Sequence, residues 1–318
     1  MKKLLLPFVL FPFIFLSCAS KKKEKDVLTY TNPIIDKYLA DPCLIIENGY
    51  YYLFATGNAE DGRFIPIHRS KDLTNWEFVR GAVSRGDTAD WNYKHFWAPE
   101  IYNMNGKFYL YYTASPKYSP KNSGNHVGLA IADNVEGPYK DMGRVVQHAS
   151  IDGHLFRDKD SSMYFFYTIE HLNEDSLTAG QIYMDRMISP TKLAGEPKQI
   201  ISHHKWQEGP FLQHRDGKYI LTYSCGGWTN HTYHVRYALA DSPEGPFNEQ
   251  PEKLLQSNEM VKGPGHHAML TDIQGRDWIV YHGWDTAYTA RYPRMDRVYF
   301  KDGKIICDGP TYTEQTIR

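Results

Sequence analysis

Short aromatic and β-branched runs recur along this chain at a nearly constant spacing. They lie at residues 49–56, 106–113, 161–168, 217–224 and 275–282, so their first residues are 57, 55, 56 and 58 positions apart. Each run follows a turn-like residue and lacks the 3.6-residue apolar period of an amphipathic helix, which is typical of a strand. The regular period indicates five internal repeats.

Each repeat contains further strand-like segments around this run. A shorter apolar run precedes it, at residues 43–46, 101–104, 154–156, 211–213 and 268–271, and completes a hairpin. In most repeats a third run such as 234–239 follows, and then a turn and a short fourth run such as 76–79. This pattern predicts an all-β fold, a five-bladed β-propeller, because radial repetition protects the strand edges. A β-sandwich is the alternative, but it does not require so regular a spacing.

One polar residue precedes the first strand of each repeat: Asp41, Glu100, Asp152, Glu208 and His266. Because the first strand of a propeller blade lines the central channel, we expect these five side chains to converge at one end of the axis. The tripeptide Glu-Gly-Pro at Glu208 also begins at Glu136 and Glu244. Those two glutamates follow the third strand, in the outer part of a blade, and are interpreted as turn residues.

Several carboxylic acids in one sheltered channel indicate chemistry. Burial and like charges raise the pKa of such acids, which is costly unless the site uses them. Two acids whose pKa values are pushed apart form the acid and base that glycoside hydrolysis requires. Each acid alone is better explained as a turn cap or a surface charge. The candidate site is therefore inferred from the corresponding positions that all five residues occupy in their repeats.

Composition narrows the class of ligand. The formal net charge is −1, so no global field recruits nucleic acid. The 24 Tyr, 15 Phe and 7 Trp offer stacking faces for sugar rings, although most of them are expected in the β core. Beyond Cys18, only Cys43, Cys225 and Cys307 are present, without close spacing. This argues against a disulfide framework or a thiolate metal site.

The N-terminus predicts export. Residues 1–3 are a basic start, and residues 4–16 form an apolar stretch too short to span a bilayer. The sequence Phe-Leu-Ser-Cys at 15–18 is similar to a bacterial lipobox. Residues 1–17 are therefore predicted to be a signal peptide, Cys18 to carry a lipid, residues 18–29 to form a tether and residues 30–318 one propeller domain. An ordinary signal peptide cut nearby is the alternative. No acidic cluster follows Cys18, which favours the periplasmic side of a bacterial membrane over the cell surface.

Five motifs together resemble one enzyme family. They are Asp41-Pro42, Trp97-Ala98-Pro99-Glu100, Ile151-Asp152-Gly153, Glu208-Gly209-Pro210 and Gly263-Pro264-Gly265-His266. In this order and spacing they are similar to glycoside hydrolase family 43, over about residues 30–298. The resemblance implies a five-bladed propeller that hydrolyses arabinofuranosides or xylosides by an inverting, single-displacement mechanism. It also implies that Asp41 is the general base, that Glu208 is the general acid, and that Asp152 orients the acid and modulates its pKa.

The resemblance further implies residues that contact the sugar. Phe96, Trp97 and Glu100 are expected to bind substrate, with Trp97 in the wall of the pocket. Arg291 matches an arginine that reaches a sugar hydroxyl. His266 matches the axial histidine, which in some relatives also helps to hold a metal ion, often calcium, through water. No cofactor is expected to be required, and a structural calcium at the propeller axis is the one metal considered.

These observations predict an exo-acting enzyme that removes pentose, first of all α-L-arabinofuranose, from plant-wall arabinan or arabinoxylan. β-Xylosidase and endo-arabinanase activities stay open because blade loops shape the pocket. A glycan-binding propeller without catalysis is the alternative of another class, although all three carboxylates are present. The expected partner is an arabinose- or xylose-containing glycan, and no binding of nucleic acid is expected. The protein is expected to be a monomer that contacts a membrane only through the lipid on Cys18. Glu170, His171 and Glu174 are interpreted as a polar loop rather than a metal site.

Overall fold

Five antiparallel sheets carry the five sequence repeats in order. The computed structural model describes residues 28–119, 124–170, 177–301 and 304–317, so the predicted signal peptide, Cys18 and most of the tether lie outside the described residues. Within the described part of the chain, no helix is long and apolar enough to cross a membrane. The first strands contact one another in the circular order β2 (Ala40–Glu47), β6 (Lys94–Met104), β10 (Ser150–Arg157), β15 (Gln207–Arg215), β19 (Lys262–Thr271) and back to β2. The fold is the predicted five-bladed β-propeller.

The remaining strands extend each blade outward from its first strand. Blade 1 continues with β3 (Tyr50–Thr56), β4 (Phe64–Ser70) and β5 (Glu77–Val83), and blade 2 with β7 (Lys107–Ser115), β8 (His126–Ala132) and β9 (Lys140–Arg144). Blade 3 continues with β11 (Met163–Ile169), β12 (Ile182–Ser189) and β13 (Lys192–Leu193), and β14 (Lys198–Ile201) also pairs with β12. Blade 4 continues with β16 (Lys218–Cys225), β17 (His234–Ala240) and β18 (Asn248–Glu249), and blade 5 with β20 (Asp277–Trp284), β21 (Arg291–Lys301) and β22 (Lys304–Cys307).

The hydrophobic core lies between neighbouring blades, where aromatic side chains of successive repeats pack against one another. Tyr111 of blade 2, for example, lies against Phe165 of blade 3 with ring centroids 4.8 Å apart, and both side chains are fully buried. Buried rings of this size contribute large apolar areas, so the repeat that predicts the strands also provides the contacts that join the blades.

The first strands begin earlier than the apolar pattern predicts, by three to seven residues. Each contains a β-bulge in its first half, between Ala40 and Cys43, for example, or between Ile151 and His154. A bulge breaks the alternation of apolar and polar positions, and its Pro and Gly residues resemble a turn in the sequence. Asp41, Asp152 and His266 therefore lie within the strands, at bulges, and not in front of them.

Asn32 ties the N-terminal segment to blade 5. Its Nδ2 donates to the Met295 carbonyl at 2.9 Å and to Thr311 Oγ1 at 3.0 Å, and its Oδ1 accepts from the Met295 amide at 2.9 Å. β1 (Thr29–Tyr30) also pairs with β23 (Gln315–Thr316), next to this contact. Two chain segments about 260 residues apart are thus joined through one buried side chain.

Asn32→Ala is expected to lower the free energy of unfolding by about 1–3 kcal/mol, because two buried backbone groups lose their partner. The measurement is urea unfolding at neutral pH. Asn103→Ala is the control, since its side chain makes an exposed bond to Glu47, and it is expected to change stability by less than about 0.5 kcal/mol. Equal stability of the Asn32 variant and wild type would contradict this role of Asn32.

Candidate active site

Bulges in the five first strands form a ring at one end of the channel. In each strand a bulge contains a residue with left-handed backbone, at Asp41, Ala98, Asp152, Gly209 and His266, with φ between 44° and 61°. Residues other than glycine rarely adopt this backbone conformation, and such strain is typical of functional sites. Glu208 directly precedes Gly209, so the structure brings Asp41, Asp152, Glu208 and His266 together as predicted.

Hydrogen bonds between neighbouring blades hold these bulges. The last residue of each aromatic run supplies the partner. Four of these residues accept a bond from a backbone amide: Thr56 Oγ1 from Ala98, Thr113 Oγ1 from Asp152, Ser224 Oγ from His266 and His282 Nδ1 from Asp41. The fifth, Thr168, donates its Oγ1 hydroxyl to the Gln207 carbonyl. The series of Thr, Thr, Thr, Ser and His at the ends of the repeats is the sequence signal that could have identified these positioning residues.

Asp41 is a buried carboxylate surrounded by donors. Thr56 Oγ1 donates to its Oδ2 at 2.6 Å, and Arg291 Nη1 donates to its Oδ1 at 3.3 Å. His282 Nδ1 lies 3.0 Å from the same Oδ1. Burial acts to raise the pKa of Asp41, but the nearby charges of His266 and Arg291 and the contact with His282 outweigh it and hold the pKa well below its usual range. Asp41 is therefore ionised at neutral pH.

Asp152 and His266 form the middle of the cluster. The Nδ1 atom of His266 lies 3.5 Å from Asp152 Oδ2 and 3.7 Å from Asp41 Oδ1. Burial acts to lower the pKa of His266, but the carboxylates of Asp152 and Asp41 raise it above its usual value. Burial, with the charges of Glu208 and Asp41, raises the pKa of Asp152 to about 7 although His266 opposes the shift. Asp152 also accepts the Gly209 amide at 3.0 Å, which links it to the backbone beside Glu208.

Glu208 has its own pair of donors. Tyr233 donates its hydroxyl to Oε1 at 2.6 Å, and Trp206 donates its indole Nε1–H to Oε2 at 2.6 Å. Burial, with the charge of Glu208, raises the pKa of Tyr233 well above its usual value, so its hydroxyl stays protonated. Neither residue is marked by the repeat: Tyr233 directly precedes β17, and Trp206 directly precedes β15. Sequence reasoning missed both.

Arg291 connects Asp41 to a group of aromatic rings. Its Nη2 donates to the Tyr38 hydroxyl at 2.9 Å, and its guanidinium lies over the Trp228 ring at 4.8 Å and the Trp284 ring at 5.7 Å. Stacking of this kind fixes the plane of a guanidinium. Arg291 therefore lies beside the candidate base, and its buried Nε has no hydrogen-bond partner among the described residues. Its contact with a sugar hydroxyl stays a prediction.

A cavity of about 530 Å³ adjoins Thr56 and Tyr38 and is lined by Phe96 and Trp97. The half-buried Trp97 stacks on His95 with ring centroids 4.4 Å apart. Phe96 is only 5% exposed and stacks on Phe64 with centroids 4.1 Å apart. Trp97 thus offers more open surface to a sugar, and Phe96 mainly supports the wall. Contact of either ring with substrate stays a prediction.

Glu100 does not join the other four residues, so the expected convergence of all five is wrong. It lies beyond the bulge of β6, where its Oε1 is 2.9 Å from His154 Nδ1 and its Oε2 accepts from Cys43 Sγ at 3.4 Å. It lines a separate cavity with residues further along the first strands. The equivalent bulge position in blade 2 is Ala98, whose side chain carries no charge.

The described residues do not form a direct metal site. No group of three or more His, Cys, Asp or Glu in this part of the chain is arranged to hold a metal ion. His266 faces two carboxylates that raise its pKa, and a protonated imidazole is a poor ligand. Calcium bound through water near His266 stays a prediction, and no catalytic step below depends on it.

Glu170 directly follows β11 and is buried; His171 and Glu174 lie outside the described residues, so the interpretation of all three as a polar loop stays a prediction. Asn125 Nδ2 donates to its Oε1 at 2.7 Å, and its Oε2 is buried without a hydrogen-bond partner. Burial raises the pKa of Glu170 to about 7, even though the bond from Asn125 acts to lower it. A folded-state pKa above the unfolded value of 4.5 means that stability falls as pH rises from about 4.5 to about 7.

Glu170→Gln is therefore expected to gain thermal stability relative to wild type as pH rises through this window, with little further change above it. The measurement is the difference in Tm between the two proteins from pH 4.5 to 8. Asp152 titrates in both proteins, so its contribution cancels in the difference. A difference that does not change with pH would contradict a buried, titrating Glu170.

The comparisons with known proteins identify the family of this chain. The model of the glycosyl hydrolases family 43 matches residues 30–305. The chain belongs to this family. Family 43 enzymes are inverting glycoside hydrolases, so the protein is an enzyme that acts by single displacement.

Relatives in this family carry different activities in their names. A β-D-galactofuranosidase of Aspergillus niger is 28% identical over 86% of this chain and 84% of its own length. An extracellular exo-α-(1→5)-L-arabinofuranosidase of Streptomyces chartreusis is 27% identical over 80% of this chain and 82% of its own length. The crystal structure of a thermostable family-43 glycoside hydrolase superposes with a TM-score of 0.79 at 29% identity, over 90% of this chain and 98% of the other. At these identities the family 43 fold is shared.

Proposed function

We propose that this family 43 enzyme is an exo-acting α-L-arabinofuranosidase that releases arabinose from plant-wall arabinan or arabinoxylan. The observation that carries the proposal is the asymmetry of the two carboxylic acids. Asp41 is held ionised by Arg291 and His266, whereas Glu208 is held by the neutral donors Tyr233 and Trp206. A base and an acid in separate environments are what inversion requires. The names of relatives such as the Streptomyces exo-arabinofuranosidase support a pentose substrate.

In the proposed mechanism, Asp41 accepts a proton from water as the water oxygen attacks the anomeric carbon. Glu208 gives its proton to the glycosidic oxygen as the bond from that oxygen to the anomeric carbon breaks. After turnover Asp41 carries a proton and Glu208 is ionised, and exchange with solvent restores both groups. Asp152 positions the acid through the Gly209 amide, and Arg291 positions the base and reaches a sugar hydroxyl.

The test compares 4-nitrophenyl α-L-arabinofuranoside with the β-D-xyloside, and follows the first anomer released from arabino-oligosaccharides by ¹H NMR. We expect faster release of arabinose, initially as the inverted β-anomer, and monosaccharide as the first product from linear arabinan. Faster xyloside cleavage would favour a β-xylosidase, and oligosaccharides as first products an endo-arabinanase. Binding of arabino-oligosaccharides without any product would favour a glycan-binding propeller that has lost catalysis.

We also propose that the enzyme is a lipid-anchored monomer on the periplasmic side of a bacterial membrane. The lipobox-like sequence before Cys18 supports the anchor. Labelling with radioactive palmitate in a bacterial host is expected to mark the wild-type protein and not the Cys18→Ala variant. Labelling of both proteins would contradict this anchor.

A further inference from the structure

A large cavity on blade 4 is lined by residues that contact Glu208 and Arg291. Its volume is about 1160 Å³, more than the 530 Å³ cavity beside Trp97, and Trp206 and Trp228 both line it. Trp206 is the donor to Glu208 Oε2, and Trp228 lies under the guanidinium of Arg291, which in turn bonds Asp41. The cavity is therefore connected to Glu208 through Trp206, and to Asp41 through Trp228 and Arg291.

The position of the acid identifies which part of the substrate this cavity receives. A general acid protonates the leaving oxygen, so the leaving group must lie on the side of Glu208. Trp206 is both a wall of the cavity and the hydrogen-bond partner of this acid. Indole rings are suitable stacking surfaces for sugar rings, and the volume exceeds the range of about 300–1,000 Å³ that is usual for small-ligand pockets. The cavity has room for several sugar units of a leaving chain.

The charge of the lining is of one sign. Two lysines and three histidines line the cavity, and no Asp or Glu does. Lys205 and Lys253 are exposed, and neither forms an ion pair with a described residue. Burial lowers the pKa of His234, so this histidine does not add to the positive charge of the lysines.

The cavity beside Trp97 also contains cations, but they are engaged. Lys37 is paired with Glu60, and Lys94 Nζ donates to the Lys117 carbonyl at 3.3 Å. The guanidinium of Arg85 lies over the rings of Phe64 and Tyr93. Unpaired lysines beside stacking tryptophans thus distinguish the blade 4 cavity. Such a combination is complementary to a saccharide that carries a negative charge.

We propose that the blade 4 cavity binds an acidic leaving-group saccharide, in which a carboxylate of a uronic acid contacts Lys205 and Lys253 while neighbouring rings stack on Trp206 and Trp228. The inference rests on the proposed function, because the role of Glu208 as the acid determines the side on which the leaving group lies. The substrates then include chains that contain uronic acid and carry arabinofuranosyl branches, and are not limited to neutral arabinan.

The test uses an arabinofuranosyl oligosaccharide with a uronic acid on the leaving side, as the free acid and as its methyl ester. Wild type is expected to show a kcat/KM about 3- to 10-fold higher for the free acid at low salt, and the preference is expected to shrink as salt screens the lysines. The Lys205→Gln/Lys253→Gln double variant is expected to lose the preference and to keep its kcat/KM for the ester. Lys140→Gln, on the outer strand β9, is the control and is expected to keep the preference for the free acid.

Binding provides a second measurement that does not depend on hydrolysis. Calorimetry with a neutral and a uronate-containing oligosaccharide is expected to show tighter binding of the acidic one to wild type and not to the double variant. Equal kcat/KM for acid and ester with intact hydrolysis, or equal binding of both ligands, would overturn the acidic subsite alone. Absence of arabinose release with retained preference in binding would overturn the proposed function and leave the subsite standing. A sulfated oligosaccharide bound as tightly as the uronate would show that the cavity recognises anions in general and overturn the specific assignment to a carboxylate.

Discussion

Asp41→Asn is expected to lower kcat by roughly 100- to 10,000-fold on every glycoside, whatever its leaving group, because no other described carboxylate has the same set of donors. Asparagine keeps the shape of the side chain and can still accept from Thr56, but it cannot take a proton from water. The measurement is kcat on 4-nitrophenyl α-L-arabinofuranoside and on an arabino-oligosaccharide, with both rates reduced by a similar factor.

Asp133→Asn is the control for this substitution. Asp133 is an exposed aspartate that pairs with Lys107 on the surface of blade 2, so its replacement is expected to leave both rates unchanged. A folded Asp41→Asn protein with wild-type turnover would exclude Asp41 as the base.

Glu208→Gln is expected to have an effect that depends on the leaving group. The oligosaccharide has a poor leaving group that needs a proton, so its kcat should fall by roughly 100- to 10,000-fold. 4-Nitrophenolate leaves readily without a proton, so kcat on the nitrophenyl substrate should fall much less. The ratio of the two losses is the measurement, and it separates an acid from a base, since Asp41→Asn affects both substrates alike.

Glu244→Gln is a matched control because it lies in the same tripeptide. Glu244 lies between the third and fourth strands of blade 4 and pairs with Arg186, and Glu136 occupies the equivalent place in blade 2, where Arg69 binds it. Neither touches Asp41, Asp152 or His266. Turnover by Glu244→Gln is expected to equal wild type, and equal losses from Glu244→Gln and Glu208→Gln would contradict the assignment of Glu208 as the acid.

The spacing of the aromatic repeat is sufficient to predict five blades and to select Glu208 over Glu136 and Glu244. It succeeds because strands of equal length at equal intervals can bury their edges and apolar faces only by radial repetition. It fails for Glu100, which lies six residues before its aromatic run, whereas the other four residues lie eight or nine before theirs. Glu100 lies two residues past Ala98, on the part of β6 that faces His154.

Side-chain partners that lie on different strands are harder to predict. The hydrogen bonds to Asp41 from Thr56 and Arg291 join positions 15 and 250 residues away. Tyr233 reaches Glu208 from the loop before β17, and nothing in its local sequence differs from the many other tyrosines of the chain. Burial of Glu170 likewise depends on Asn125 of blade 2, on a segment that is polar in sequence.

The sequence alone thus determines the architecture, the phase of the first strands and the presence of Asp41, Asp152, Glu208 and His266 at one end of the channel. Only the tertiary structure decides how these groups differ from one another. The protonation of a carboxylic acid depends on burial and on the charges and donors within a few ångströms, which only the folded chain brings together. Asp41 obtains His266 and Arg291, and Glu208 obtains Tyr233 and Trp206. The fold therefore gives the two acids separate environments that no local pattern of residues records.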